Sequence, residues 1–144
     1  MSKPTLGIIG GGQLGGLLSE AAKKIEIKTV VLSDDKDAPA KHFADKFICG
    51  NYDNQEIIEK FINLVDLATF EFENIPFNVL KKINKEKAVL PKPEINKLIQ
   101  NRFTEKDFLN KYNIQTTKYA LIKNVEDIKL NKNLIPGLLK TCMF

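Results

Sequence analysis

Residues 7–17 read Gly-Ile-Ile-Gly-Gly-Gly-Gln-Leu-Gly-Gly-Leu, with five glycines between positions 10 and 16. Glycine loses more backbone freedom on folding than any other residue. A run this dense therefore belongs where the chain turns sharply or where another group must approach the backbone. The residues before it, 5–9, form a short apolar run, as in a buried parallel strand. The residues after it, 13–24, place Leu14, Leu17, Leu18, Ala21 and Ala22 at helical spacing, which predicts a helix. Residues 28–32 are rich in β-branched side chains and stop at Ser33-Asp34-Asp35. Strand, glycine loop, helix and strand make one βαβ unit, with a right-handed crossover expected.

The alternation continues. Short strands are expected at 46–49, 66–70 and 88–90, and helices at 54–63 and from Pro76 onward, where Val79, Leu80 and Ile83 keep helical spacing. This pattern predicts an α/β fold, a Rossmann-like doubly wound parallel sheet of four or five strands over residues 1–98. After Pro93 the rhythm changes. Helices are expected at 94–100 and 102–112, strands at 118–122 and 135–139, and a short helix capped by Asn124. A domain boundary is placed near residue 98, with 99–144 as a second, incomplete unit. Its two strands lack partners, which favours disorder or aggregation and faster amide exchange than in the first unit.

Composition excludes several classes. The chain has 144 residues and a formal charge of +4, almost all from scattered lysines mixed with acids; Arg102 is the sole arginine. A nucleic-acid face would need clustered basic residues with stacking aromatics, and none is expected. No run approaches the ~20 apolar residues of a membrane span, and nothing at the start reads as a signal peptide. Cys49 and Cys142 form no metal-spacing pattern and read as free thiols in a reducing cytoplasm.

Gly10, Gly12 and Gly15 satisfy G-x-G-x-x-G in the strand-to-helix context that makes this pattern informative, with a helix N-terminus behind it to meet an anion. A tight turn that binds nothing satisfies the same pattern. Asp34, 24 residues after Gly10, stands roughly where a dinucleotide fold keeps its ribose-binding acid. An NAD-type site is therefore one reading, and a solvated Asp34-Asp35 turn is another. Glu71-Phe72-Glu73-Asn74 follows a strand, where ligands gather beyond the carboxyl ends of a parallel sheet. In an extended segment its two acids would point the same way. Lys140, at the end of an apolar stretch, either snorkels to water or presents a charge to phosphate. His42 has no evident carboxylate partner and is given no role.

Taken in order, GGGQLG at 10–15, the Pro39–Asp45 segment, GNYDN at 50–54 and TFEFENIP at 69–76 resemble the N-terminal portion of the 5-(carboxyamino)imidazole ribonucleotide synthase family of the ATP-grasp superfamily. Asn101-Arg102-Phe103-Thr104 is similar to the family's opening of its ATP-grasp region, and residues 135–141 to the strand carrying its nucleotide-binding lysine. The resemblance implies a pre-ATP-grasp domain followed by the start of an ATP-grasp domain. It implies substrate contacts at Gly12, Gln13, Leu14 and Glu73, ATP contacts at Arg102 and Lys140, and no catalytic residue within this chain. The implied reaction uses ATP and Mg2+ to activate bicarbonate, whose carboxyl group is captured by the amino group of aminoimidazole ribonucleotide. The resemblance also suggests a homodimer.

Two departures from the family pattern stand out. Gly16 occupies a position where the family usually has arginine. After Lys140-Thr141 the family continues into a phosphate-covering glycine loop and its metal-binding acids, whereas this sequence reads Cys142-Met143-Phe144. No turnover is expected from these 144 residues by themselves.

Overall fold

The computed structural model describes residues 3–143. Contacts divide the chain into two units, Met1–Lys97 and Leu98–Phe144.

The first unit is built on a parallel sheet. β1 (Thr5–Ile9), β2 (Lys28–Ser33), β3 (Lys46–Cys49) and β4 (Leu67–Phe70) lie in the order β3-β2-β1-β4. Ile9 at the end of β1 pairs with Leu32 on one side and Phe70 on the other, so these three strands finish level. Successive side chains of a strand go to opposite faces, and β1 uses both. Ile9 joins Val30, Leu32, Phe61 and Leu80 in the larger core. Ile8 joins Val31 and Ala40 in a smaller one on the other face. The larger core is covered by α2 (Gln55–Ile62) and α3 (Phe77–Asn84), whose buried residues are Ile58, Phe61 and Ile62 and Val79, Leu80 and Ile83. The smaller core is closed by a 3-10 turn at Pro39–His42, which packs with α1 (Gln13–Lys24). The sheet is thus covered on both faces, as the sequence pattern predicts.

Residues 88–90 supply only a single parallel bridge, Ala68 to Val89. Ala68 N–H donates to the Ala88 carbonyl at 2.8 Å and Leu90 N–H to the Ala68 carbonyl at 2.9 Å. Pro91 follows at once and has no N–H to extend the ladder.

The face that α1 presents differs from what its leucines advertise. Gly15, Gly16, Ser19 and Ala22 are buried, while Leu14 and Leu17 are 62% and 54% exposed. Close approach explains it. A Cβ at Gly15 would lie 2.7 Å from the Gly10 carbonyl oxygen, so the helix meets the loop through small side chains. The buried Ser19 hydroxyl is satisfied by donating to the Gly15 carbonyl at 2.9 Å.

α4 (Pro93–Ile99) contributes the fully buried Asn96, whose Nδ2 donates to the Ile75 carbonyl at 3.0 Å. It ties down the turn that follows β4.

In the second unit, α5 (Arg102–Lys111) is capped by Asn101, whose side chain accepts from the amides of Phe103 and Thr104. α6 (Val125–Leu130) carries a reciprocal capping box between Asn124 and Asp127. The strands expected at 118–122 and 135–139 do not form; both segments lack regular structure. A strand needs a neighbour to take its hydrogen bonds, and no ladder is present among the described residues of this unit. No described residue from 98 to 143 is buried. Among the described residues, no helix is long and apolar enough to cross a membrane.

Candidate functional site

The level ends of β1, β2 and β4 create the site. Gly10 N–H donates to the Leu32 carbonyl at 2.8 Å, and Gly10 then adopts φ of +110°, a conformation open to glycine at little cost. This turns the chain off the sheet and into α1. Gly12 is the N-cap of α1 and has no side chain to satisfy the helix's first amides. Its own N–H is satisfied from a distance, donating to Glu71 Oε1 at 3.0 Å.

Glu71 is placed for this by the ladder. Its N–H donates to the Ile9 carbonyl at 3.0 Å, which extends the β1–β4 pairing by one residue. The carboxylate then sits at the positive end of the α1 dipole, where an anion is stabilised. The site that the glycine pattern reserves for a phosphate therefore holds a carboxylate of the chain itself.

β2 supplies the opposite wall. Ser33 Oγ accepts from the Asp35 amide at 3.2 Å, and Asp35 Oδ1 accepts from the Asp37 amide at 2.9 Å, shaping the turn. Gly50 N–H donates to the Ser33 carbonyl at 2.9 Å. That bond leads the chain from β3 back toward β2 and sets Tyr52 beneath the turn. Tyr52 is 9% exposed, and its buried hydroxyl has no hydrogen-bond partner at proper geometry among the described residues. Burial pushes its pKa above the usual phenol range. The negative charge of Asp34, and to a smaller extent that of Glu71, adds to the rise, while the Asp34 main chain and, less so, the Ser33 side chain act in the opposite direction.

Between these walls lies a cleft of about 350 Å³, bounded by Gly11 and Gly12, by Ser33 to Asp35, by Ala38 and Pro39, and by Tyr52, Glu71 and Phe72. Its volume is near the lower end for small-molecule sites, roughly 300–1,000 Å³. Three of its lining residues are acidic and none is basic. Such a lining accepts hydrogen bonds from hydroxyls and amines and repels phosphate.

The expected residues distribute as follows. Gly12 and Asp34 line this cleft. Gln13 and Leu14 are exposed on the first turn of α1, at the same sheet edge. Glu73 is half-buried in the turn after β4. Residues 71–75 are bends and turns, not extended strand, so the two-residue alternation that would aim both acids together does not apply. Glu71, not Glu73, lines the cleft. In the second unit, Arg102 opens α5 and its N–H donates to the Cys142 carbonyl at 2.8 Å. The C-terminal segment bearing the exposed Lys140 is thereby fastened beside it. Both cysteines are free thiols. No cluster of acidic, histidine or cysteine side chains suited to a metal ion occurs among the described residues.

The EFEN pattern offers Glu71 and Glu73 alike and the family resemblance points to Glu73, while neither gives Tyr52 a role. The available signal for Tyr52 was an aromatic ring inside the otherwise polar turn GNYDN. Such a ring is expected to bury itself and carry its hydroxyl along.

Comparison with known proteins agrees with this architecture. Residues 3–100 match the model of the ribonucleotide synthetase preATP-grasp domain. The N5-carboxyaminoimidazole ribonucleotide synthase of Brucella melitensis is 37% identical over 124 residues, which cover 86% of this chain and 34% of that protein. The crystal structure of an N5-carboxyaminoimidazole ribonucleotide synthetase in complex with ADP superposes with a TM-score of 0.82 at 33% identity, covering 94% of this chain and 36% of that one. The Aspergillus clavatus synthase, in complex with ADP and 5-aminoimidazole ribonucleotide, superposes with a TM-score of 0.77 at 27% identity, covering 93% and 37%. The chain thus spans about a third of the length of these relatives. With two thirds of its residues inside the matched domain, at the positions that form the sheet and the glycine turn, the chain belongs to the ribonucleotide synthetase preATP-grasp family.

Proposed function

We propose that this chain is the ribonucleotide-facing part of an ATP-dependent carbon–nitrogen ligase that carboxylates 5-aminoimidazole ribonucleotide with bicarbonate in purine biosynthesis. The observation that carries the reading is the carboxyl edge of the sheet. There the glycine turn, the exposed Gln13 and Leu14, and the turn bearing Glu73 all follow strands that end level. Gln13 would hydrogen-bond the substrate through its amide, Leu14 would supply apolar contact, and Glu73 would accept from an amine or hydroxyl. The similarity to the Aspergillus clavatus synthase, whose structure holds 5-aminoimidazole ribonucleotide and ADP, supports this substrate.

Arg102 and Lys140 are the proposed contacts to ATP, which would supply the phosphoryl group that activates bicarbonate. Their placement in one unit, joined by the Arg102–Cys142 backbone bond, suits a shared anionic ligand. Mg2+, which would accompany the ATP, finds no ligand set among the described residues. A cytoplasmic setting fits the free thiols, and a homodimer is part of the same proposal.

An NAD-type module is the competing reading, and Asp34 does line the cleft. The Glu71–Gly12 bond counts against it, because a dinucleotide pyrophosphate would have to displace a carboxylate from the helix N-terminus. Titration of the chain followed by amide chemical shifts tests the choice. 5-aminoimidazole ribonucleotide is expected to move Gly12, Gln13, Leu14 and Glu73, and NADH is expected to move none of them. The reverse pattern would overturn the proposal.

A further inference from the structure

We propose that the Tyr52 hydroxyl is a ligand contact, and that the cleft it lines receives ribose hydroxyls rather than phosphate. The inference rests on the reading of the substrate as a ribonucleotide and adds which part of it this cleft takes.

The hydroxyl is the anomaly. Tyr52 is nine-tenths buried in the larger core, yet its oxygen makes no hydrogen bond of proper geometry among the described residues, although the Asp34 main chain and the Ser33 side chain lie near it. A phenylalanine would fill the same space without burying an unsatisfied polar group, and such groups are uncommon in folded proteins. Its surroundings restrict what can satisfy it. Asp34, Asp35 and Glu71 line the same cleft and no lysine, arginine or histidine does. A group arriving there must accept from the phenol and donate to carboxylates. Phosphate only accepts, and the acids repel it. An ammonium group only donates; it can reach the phenol oxygen but leaves the phenol's own proton without an acceptor. A hydroxyl does both. A vicinal pair of ribose hydroxyls reaches Tyr52 with one oxygen while giving its protons to Asp34 and Glu71. The phosphate of the same ligand then lies outside this cleft.

The test uses the 144-residue chain and its Tyr52→Phe variant, with 5-aminoimidazole ribonucleotide and ADP-ribose as probes. Urea unfolding is expected to give the variant a midpoint equal to or above that of the parent, since no bond is lost in the free protein. Calorimetric titration is expected to show about tenfold weaker binding of the ribonucleotide to the variant. A lowered unfolding midpoint would mean that the hydroxyl is already bonded within the protein, and would overturn the inference. Equal ribonucleotide affinity in the two proteins would overturn it too, while leaving the ribonucleotide reading intact. Binding of ADP-ribose alone, weakened by the substitution, would uphold the role of Tyr52 and remove the proposed substrate. Absence of binding by both probes would overturn both.

Discussion

The main-chain N–H of Gly12 donates to Glu71 Oε1 at 3.0 Å across 59 residues of sequence. This bond joins the start of α1 to the residue just past β4, and it fills with an internal carboxylate the place where a helix N-terminus would hold an external anion.

Replacing Glu71 tests that role directly. Glu71→Ala is expected to lower stability by about 1–3 kcal/mol, the range for hydrogen bonds to charged groups. Glu71→Gln keeps an acceptor and should lose only about 0.3–1 kcal/mol from the charge–dipole interaction. Urea midpoints check both. Inorganic phosphate should raise the melting temperature of Glu71→Ala more than that of the parent, because the helix N-terminus is then open to it.

Neighbouring glycines in α1 should respond in opposite ways. At Gly15 a Cβ meets the Gly10 carbonyl oxygen at 2.7 Å, a backbone atom that cannot move aside. Gly15→Ala is expected to cost about 1–3 kcal/mol or more. At Gly16 the tightest neighbour is a ring carbon of Phe43 at 3.0 Å, on a side chain that is 45% exposed and free to swing away. Gly16→Ala should leave stability unchanged or raise it by up to about 1 kcal/mol through helix propensity. Chemical denaturation of the two variants side by side measures the contrast.

Amide exchange should separate the two units. Val31 and Leu32 are fully buried in the sheet, whereas no described residue from 98 to 143 is buried. Amides of β1 and β2 are expected to exchange only on global unfolding, and those of α5 and α6 through local opening, orders of magnitude faster. Hydrogen–deuterium exchange followed by NMR reads this residue by residue, and equal protection would contradict the burial pattern.

Tyr52 makes stability fall at high pH. Burial, with Asp34 and Glu71 nearby, raises its pKa in the folded chain, while the unfolded chain ionises it near pH ~10. Below that pH both states hold the proton and the contribution to stability is intact. Above it the unfolded state releases the proton first, and stability is lost at about 1.4 kcal/mol per pH unit until the folded state also ionises. Urea midpoints between about pH 9 and pH 11 should therefore fall less steeply in Tyr52→Phe, by the equivalent of one proton.

The elements easiest to read were those whose periodicity and punctuation agree. β1 and β2 are short apolar runs closed by Gly10 and by Ser33-Asp34, and Asn124 caps the helix it precedes. Helical spacing identified α1 but not its inward face. Leucines mark the period, while contact with the Gly10 carbonyl and with Ala40 selects glycine, serine and alanine for the interior. Residues 118–122 and 135–139 have strand-like composition, but pairing depends on a neighbour that local sequence does not encode. Extended backbone would aim the two acids of EFEN the same way; the bends and turns at 71–75 remove that alternation. Tyr52 was hidden for another reason. Its significance lies in an unmade bond, which depends on tertiary packing that local sequence does not encode.

Ile8 and Ile9 enter opposite cores, and the chain leaves the sheet at the very next residue. A single-residue insertion or deletion in β1 would exchange the two isoleucines between layers and displace the Gly12 amide from Glu71. Length changes are thus forbidden along this strand, whereas the turn at residues 34–37 on the neighbouring strand is exposed and belongs to neither layer. Variation in what the cleft admits is therefore expected to enter through that turn.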